Sequence, residues 1–315
     1  MINVYSLTAP ADRYRATQLK PHGWCYSVAA DGNSFAELAA DTGIAPRLLG
    51  SALDRDERPR IERDGHSTLL VVHVPCDDPA VKQLDQDVKY RTVALGLVIT
   101  PTQLITVCRA GSWAQGDALT ALVSSAPEAS LDVLALTLLK RIAREFADQS
   151  SVIEQHIATT EDELSRSYRN EELYTLLYLN ESLLYLATSL KKMVQVLRRA
   201  EVPGQLGVSD AGERLFGQMM VELEQVQAAT EIIQLNLNNV MDAYGNVIQN
   251  NISHVVKLLT AATIVLSIPT LIASIYGMNV PLPFQEADHA FSALIALMVG
   301  SSAAAIYLFR KKRYL

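Results

Sequence analysis

The sequence predicts an α+β domain, followed by a long helix and two C-terminal transmembrane helices. Two uncharged runs near the end of the 315-residue chain carry the membrane prediction, Leu258 to Gln285 and Ala290 to Phe309. Each is long enough for a span, because a bilayer core takes about 20 apolar residues in helical form. Upstream, short β-branched runs give way near Leu131 to sustained helical periodicity, so a sheet-containing region is expected to precede the helices.

The region before Leu131 mixes strand and helix signals. Ser34–Ala39 places a Ser three residues before a Glu, a capping-box pattern that predicts the start of a helix. Pro101 and Thr102 separate two strand-like runs and predict a hairpin. We therefore expect a mixed sheet flanked by helices. The runs predicted to be strands are Trp24–Val28, Thr68–Val74, Arg91–Ile99 and Gln103–Cys108.

From Leu131 onward apolar residues recur at helical steps of three and four. The last predicted helix is capped by Ser209 or Asp210 and runs from Ala211 to about Ile275. Because a helix of ~65 residues is about 100 Å long, it exceeds any bilayer, and its first part is expected to be a cytoplasmic stalk. The other predicted segments are helices over Leu131–Glu163 and Glu171–Ala200, a polar turn over Ser165–Asn170, and a break at 202–207.

These patterns divide the chain into six segments. The expected order is a cytoplasmic α/β domain with a helical hairpin, a stalk helix, a pore-lining span, an external loop, a second span and a basic cytoplasmic tail. Their boundaries are 1–205, 206–257, 258–276, 277–289, 290–309 and 310–315.

A polar stripe runs along the last predicted helix and through the first span. Its members are separated by alternating steps of three and four residues, which keeps them on one helical face. All are polar except Val256: Asn239, Asp242, Asn246, Gln249, Ser253, Val256, Thr260, Thr263, Ser267, Thr270 and Ser274. Hydroxyls in a membrane helix often bond back to their own carbonyls, but a stripe this long, continuous with Asp242, favours a pore wall. Two helices cannot enclose a conduit through lipid, so the stripe predicts a symmetric oligomer.

The end of the first span, Tyr276-Gly277-Met278-Asn279, resembles the signature of the CorA family of magnesium transporters. Further similarities lie in Lys257–Thr260, the Pro269-Thr270 step, the basic-aromatic C-terminus, and Glu57–Glu62 with the strand-like run after it. The resemblance implies an αβα sandwich for the α+β cytoplasmic domain, a funnel-shaped homopentamer, and passive Mg²⁺ uptake that is driven by the membrane potential and gated by intracellular Mg²⁺. Co²⁺ and Ni²⁺ stay open as further cargo.

The resemblance also assigns roles to particular residues. It makes Gly277, Met278 and Asn279 a selectivity filter, in which a ring of Asn amide oxygens holds a hydrated ion through its waters, since Mg²⁺ sheds water reluctantly. Mg²⁺ as a regulatory ion would bridge subunits through Asp242 and Asp77, the latter matched loosely, with a plain solvated surface as the alternative for Asp77.

Two further groups take roles from the same resemblance. Val256 and Leu259 correspond to an apolar constriction that gates by excluding water. The C-terminal cluster forms a basic collar, for which a lipid-headgroup anchor is the simpler interpretation. Its members are Arg310, Lys311, Lys312 and Arg313.

Composition narrows the partners and the location. A net charge of −7 argues against nucleic acid, and three scattered cysteines fit a reducing compartment. The loop between the spans lacks Lys and Arg, while Lys257 and the basic tail flank the spans. Positive residues stay inside, so both termini are expected to be cytoplasmic, in an inner (plasma) membrane, and no cleaved signal peptide is visible.

Three candidate functions in two classes remain. No phosphate loop, nucleophile elbow or paired His motif occurs, so neither an enzyme nor a catalytic cofactor is expected, and the partners are the chain itself, divalent cations and the bilayer. The preferred class is the divalent-cation transporter. A Zn²⁺ transporter of the same superfamily is the alternative within that class, and a membrane-anchored scaffold without transport is the alternative outside it.

Overall fold

The computed structural model describes most of the chain in eleven stretches. They are residues 2–6, 23–28, 39–40, 42–50, 53–54, 57–76, 90–108, 130–167, 170–200, 209–283 and 288–312. The chain forms two compact units, Met1–Asn239 and Val240–Leu315. The predicted helix start at Ser34, the predicted break at 202–207, Asp77 and Arg313 lie outside the described residues.

A six-stranded mixed sheet forms the centre of the first unit. Its spatial order is β1-β2-β6-β5-β4-β3, with β2 and β6 parallel and the other neighbours antiparallel. The four predicted strands and the mixed character are confirmed, while β1 and β3 were not predicted. The strands are β1 (Ile2–Ser6), β2 (Gly23–Val28), β3 (Arg60–Asp64), β4 (Ser67–Cys76), β5 (Arg91–Ile99) and β6 (Gln103–Cys108).

The predicted hairpin between β5 and β6 is closed by Thr100. Its amide donates to the carbonyl of Gln103 at 2.9 Å, and its hydroxyl both donates to that carbonyl at 3.0 Å and accepts from the Gln103 amide at 2.9 Å. The β3–β4 turn instead uses Gly65 at a φ of 60°, which only glycine adopts without strain. Local turn chemistry therefore fixes the register of both hairpins.

Both faces of the sheet are covered. Leu69, Leu70, Val71 and Val72 of β4 are each at most 1% exposed, and successive side chains of a strand point to opposite faces. Helix α1 (Pro46–Gly50) contributes Leu48 and Leu49 to the cluster on one face, and the two helices that follow β6 contact β4 and β5. Helices flanking a sheet are what the sequence predicted.

Four long helices follow the sheet: α2 (Leu131–Ser167), α3 (Asn170–Ala200), α4 (Asp210–Tyr276) and α5 (Ala290–Lys311). The prediction of a turn beginning at Ser165 was wrong, because Ser165–Ser167 are helical. Polar residues without Gly or Pro lower helix propensity only slightly, so they do not end a helix by themselves. The 67 residues of α4 confirm the single long helix.

The N-terminus of α4 is capped as predicted. The Gly212 amide donates to the hydroxyl of Ser209 at 3.3 Å, and Ser209 donates its own amide and hydroxyl to the Asp132 carboxylate, both at 2.8 Å. Burial opposes ionisation of Asp132, but hydrogen bonds from Ser130, Ser209 and the Val133 amide outweigh it and hold its pKa below the ordinary value. A charged carboxylate in the first turn of α2 thus holds the start of α4.

Candidate functional site

The second unit contains a pair of exposed apolar helices. By length and composition, Gly212–Tyr276 within α4 and Ala290–Lys311 of α5 can each cross a membrane. Only 6% of the apolar window in α4 and none of that in α5 is buried within the chain. A core helix of a soluble protein buries such a surface, so lipid or further protein is required to cover these two.

Helix α5 packs on one side of α4. Ala261 of α4 is 1% exposed, and Val265, Ile268 and Ile272 on the same side are half-buried. The facing side of α5 includes the small residues Ser301, Ser302 and Ala305, which allow the close approach that membrane helices use. The half-buried residues of α5 are Ala290, Leu294, Met298, Ser301, Ser302, Ala305 and Phe309.

A proline in α4 creates a hydrogen-bonding need that α5 meets. Pro269 lies inside α4 and has no N–H, so the carbonyl of Val265 loses the donor it would have in a regular helix. The hydroxyl of Ser302 in α5 donates to that carbonyl oxygen at 3.5 Å. An unmet carbonyl within a membrane costs free energy, so this contact ties the two helices together near Pro269.

The predicted polar stripe lies on the side of α4 that faces away from α5. At about 100° per residue, Thr263, Ser267 and Thr270 lie ~150° around the helix from the Ala261–Val265 side. Each of the three is exposed in the single chain. The polar face is therefore available to further copies of α4, whereas α5 covers the opposite face.

Five hydroxyls of this stripe donate to the helix's own backbone carbonyl four residues earlier, as hydroxyls in membrane helices often do. The distances are 2.7–2.9 Å. Each bond uses the hydroxyl hydrogen and leaves oxygen lone pairs outward. The stripe therefore presents hydrogen-bond acceptors, which suit a cation or the waters around it. The residues are Ser253, Thr260, Thr263, Ser267 and Thr270.

The remaining stripe residues and the constriction residues are also on the surface. Val256 and Leu259 are 55% and 65% exposed, which leaves two adjacent apolar side chains facing outward below the hydroxyls. The others are exposed as well: Asp242, Asn246, Gln249 and Ser274. In the described part of the chain no cluster of three or more His, Cys, Asp or Glu residues could hold a metal ion.

Helix α4 ends at the predicted motif. The Gly277 amide donates to the Ala273 carbonyl at 2.9 Å and the Met278 amide to the Ile275 carbonyl at 3.2 Å, after which Met278 and Asn279 are exposed. Gly277 is not among the described glycines with positive φ, which are Gly43 and Gly65. A Cβ on Gly277 would lie 3.3 Å from the Ala273 oxygen, a tight contact with the backbone that an added side chain relieves only by a small shift of the helix end.

The structure describes how the loop after α4 begins and how α5 ends. The Tyr276 hydroxyl donates to the Pro283 carbonyl at 3.4 Å, which fixes the start of the loop against the helix end. Arg310 and Lys311 occupy the last turn of α5, where cations complement the helix dipole. Lys312 follows as the cap, with its amide 3.0 Å from the Leu308 carbonyl.

Sequence reasoning missed one residue of this site, Ser302. The sequence does contain a signal for Ser302, because Pro269 in a predicted helix leaves the carbonyl four residues earlier without a backbone donor. A hydroxyl at a matching depth of the other span is the obvious partner. Residue spacing does not predict how α5 is rotated about its axis. The observed rotation brings Ser302 to Val265, whereas the hydroxyl of the neighbouring Ser301 donates to the Met298 carbonyl of its own helix at 3.0 Å.

The family model of CorA-like Mg²⁺ transporter proteins matches residues 24–311. This chain belongs to the CorA-like Mg²⁺ transporter family. This family is a class of transporters and not a class of enzymes. A curated relative, the cobalt/magnesium transport protein CorA of Methanocaldococcus jannaschii, is 24% identical over 287 residues, which are 89% of this chain and 87% of that protein.

Solved structures support the CorA fold over the whole chain. The complete structure of the CorA magnesium transporter from M. jannaschii matches with a TM-score of 0.85 at 22% identity, covering 100% of this chain and 99% of that one. The cytoplasmic domain of ZntB from Vibrio parahaemolyticus matches with a TM-score of 0.61 at 10% identity, over 79% of this chain and 98% of that one. The predicted soluble domain, long helix and two C-terminal apolar helices are thereby confirmed.

Proposed function

We propose that copies of this chain assemble, as a homopentamer, into a conduit that conducts divalent cations passively across the membrane, with Mg²⁺ as the principal ion. The observation that carries the proposal is the placement of the polar stripe. Thr263, Ser267 and Thr270 face away from α5, so a ring of α4 helices inside a ring of α5 helices puts hydroxyls on the axis and apolar side chains in lipid. The opposite arrangement would put the hydroxyls in hydrocarbon, which is unfavourable.

The chemistry of the stripe suits a hydrated ion. Its hydroxyl hydrogens are used within α4, so the axis is lined by acceptors that stabilise cations and the outward hydrogens of their waters. At the end of the helix, Asn279 adds an amide oxygen. Neutral oxygens bind Mg²⁺ weakly enough to release it, which conduction requires.

The membrane potential is a sufficient driving force for uptake. A unit charge that crosses 100 mV gains about 2.3 kcal/mol, and a divalent ion gains roughly twice that. With both termini in the cytoplasm, as the positive-inside rule favours, the Asn279 end of α4 faces outward and ions move inward. No nucleotide is needed.

Regulation by intracellular Mg²⁺ belongs to the same proposal. Asp242 lies on the stripe below the uncharged part of α4 and is exposed, so several copies would bring several carboxylates to one level of the axis. We assign Asp242 as the cytoplasmic Mg²⁺ ligand, with Asp77 of a neighbouring copy as its partner. Val256 and Leu259 then form the apolar constriction that closes by excluding water.

The test is uptake into proteoliposomes that contain the full chain and a divalent-sensitive dye. We expect potential-driven entry of Mg²⁺, and we would offer Co²⁺, Ni²⁺ and Zn²⁺ in turn to define the preference. A Thr263→Leu, Ser267→Leu, Thr270→Leu variant should lose most of the flux. Ala303→Leu, which adds bulk on the exposed side of α5, is the matched control and should conduct. No flux of any cation in the wild-type chain would support a scaffold instead.

A further inference from the structure

A cavity of about 630 Å³ lies between the sheet of the first unit and helix α3. Its lining includes His73 of β4, Thr92 of β5, Ser189 and Lys192 of α3, and Arg58 before β3. Pockets that bind small molecules commonly have volumes of about 300–1,000 Å³, so this cavity has the size of a ligand site. None of its described lining residues belongs to α4 or α5, so the cavity is no part of the proposed conduit.

A chain of hydrogen bonds fixes the wall of the cavity where the sheet meets α3. The Ser189 hydroxyl lies 2.7 Å from Nδ1 of His73 and 2.8 Å from the Thr92 hydroxyl. Nε2 of His73 lies 2.8 Å from the carbonyl oxygen of Glu57. Burial lowers the pKa of His73, and the positive charge of Lys192 adds to this, against the raising effect of the bond to Glu57. The neutral ring therefore donates through Nε2 and accepts from Ser189 through Nδ1, which preforms this wall.

Positive charge in the cavity exceeds negative charge. Arg58 and Lys192 line it, and in the described part of the chain neither has a carboxylate within ion-pair distance. Two carboxylates belong to the same lining, Glu57 and Glu181. Glu57 is already paired with Arg60, which leaves only Glu181 to offset the cations. The cavity therefore favours an anion over a cation.

Another part of the lining is apolar and aromatic. Leu184 and Tyr185 of α3 are 53% and 37% exposed and both line the cavity. The Arg91 guanidinium lies 4.9 Å from the centroid of the Tyr185 ring, and its Nη2 donates to the Tyr185 hydroxyl at 3.3 Å. A cation is attracted to an aromatic face, so this pair is held together and adds a third positive group beside an apolar surface. A ligand with an anionic group and an organic part matches both regions.

We infer that this cavity binds a small organic phosphate, whose phosphate group contacts Arg58 and Lys192 and whose organic part lies against Leu184 and Tyr185. Arginine and lysine recognise phosphate through charge-assisted hydrogen bonds. An inorganic phosphate ion would fill only a small part of a cavity of this size, and it would leave the apolar part of the lining without a contact. The site is a second binding function, separate from cation conduction.

Equilibrium dialysis of the full chain in detergent micelles tests the site, with labelled AMP and labelled glucose 6-phosphate as the probes. Buffers freed of divalent cations by a chelating resin prevent either probe from binding through a metal ion. We expect saturable binding of at least one probe, in chloride at fixed ionic strength. Arg58→Ala and Lys192→Ala should each weaken binding by about tenfold, because each removes a charge-assisted hydrogen bond. Lys191→Ala removes the same charge from the exposed neighbouring position, so it is the matched control and should bind as the wild type does.

Competition by unlabelled inorganic phosphate tests the organic part of the ligand. We expect inorganic phosphate to bind severalfold more weakly than the better organic probe, and equal binding would overturn the assignment of an organic phosphate. No saturable binding of either probe, or an equal loss in Lys191→Ala, would overturn the site itself. Arg58 is exposed, so Arg58→Ala keeps the test valid if Lys192→Ala fails to fold. Because dialysis does not measure flux, each of these results leaves the proposed conduit to be judged by its own assay.

Discussion

The hydroxyl of Ser302 lies 3.5 Å from the carbonyl oxygen of Val265 and donates to it across the two membrane helices. The contact exists because Pro269 removes the donor that this carbonyl would have in a regular helix. It also sets the rotation of α5 against α4, which leaves Thr263 and Ser267 on the far side. One hydrogen bond between the helices thus accompanies the exposure of the polar edge that the proposed conduit needs.

A double-mutant cycle tests this relationship. We expect Ser302→Ala to lower the free energy of unfolding in mixed micelles by about 1 kcal/mol, a typical value for an interhelical hydrogen bond in a membrane. In a Pro269→Ala background the Val265 carbonyl regains a helical N–H, so the same substitution should cost much less. Ser301→Ala, which affects a bond within α5, is the control. Equal costs in both backgrounds would contradict the account.

The cap at the start of α4 predicts a pH-dependent stability. The pKa of Asp132 is lowered in the folded chain, so its contribution is fully present above the ordinary carboxylate pKa of about 3.9 and is lost as the pH falls through the lower folded value. Asp132→Asn should therefore destabilise the chain by about 1 kcal/mol at pH 7 and by less in acid. Chemical unfolding at a series of pH values measures this; a parallel offset between the two curves would argue against it.

The limited space around Gly277 predicts that a larger side chain there reduces conduction. The Cβ of Gly277→Ala would lie 3.3 Å from the Ala273 oxygen and 3.6 Å from the Ser274 oxygen, so the end of α4 must shift. Because Asn279 follows two residues later, we expect Mg²⁺ flux to fall severalfold. Gly300→Ala in α5, where an added Cβ meets nothing within 4 Å, should conduct as the wild type does. Equal flux in the two variants would count against the filter at Asn279.

Substitution of Asp242 is expected to change the inhibition of flux by Mg²⁺ without changing the fold. It is exposed on α4, so Asp242→Lys should fold normally but place cations where the proposed site needs carboxylates. We expect inhibition by Mg²⁺ inside the vesicles to weaken by at least severalfold in flux assays. Asn246→Lys, one turn further along the same stripe, controls for an added positive charge near the axis. Unchanged inhibition in Asp242→Lys would rule the site out.

The sequence predicted the elements with strong local signals and missed those fixed by long-range contacts. Four runs rich in β-branched residues became strands as expected, and Ser209 capped α4. β3 was missed because Arg60–Asp64 is mostly charged, and an edge strand needs few apolar residues. Residues 2–6, which form β1, carry only a short alternating pattern that spacing alone does not distinguish from a loop.

The candidate site was likewise predicted where local spacing decides and missed where packing between helices decides. Periodicity alone placed Thr263, Ser267 and Thr270 on one edge, because a helix converts spacing into direction. The side of α4 that α5 covers could not be predicted, since it depends on packing and on the bond from Ser302 to Val265.

Access of a charged thiol reagent to the polar edge tests the central claim most directly. Ser267→Cys and Ala303→Cys should be reconstituted separately, with the wild-type chain treated alike to account for its native cysteines. If α4 copies surround an aqueous axis, a membrane-impermeant cationic methanethiosulfonate will modify Ser267→Cys and block Mg²⁺ flux, and it will leave Ala303→Cys conducting. Modification and block at Ala303→Cys, with Ser267→Cys unreactive and conducting, would show that the hydroxyl edge faces lipid and would contradict the account.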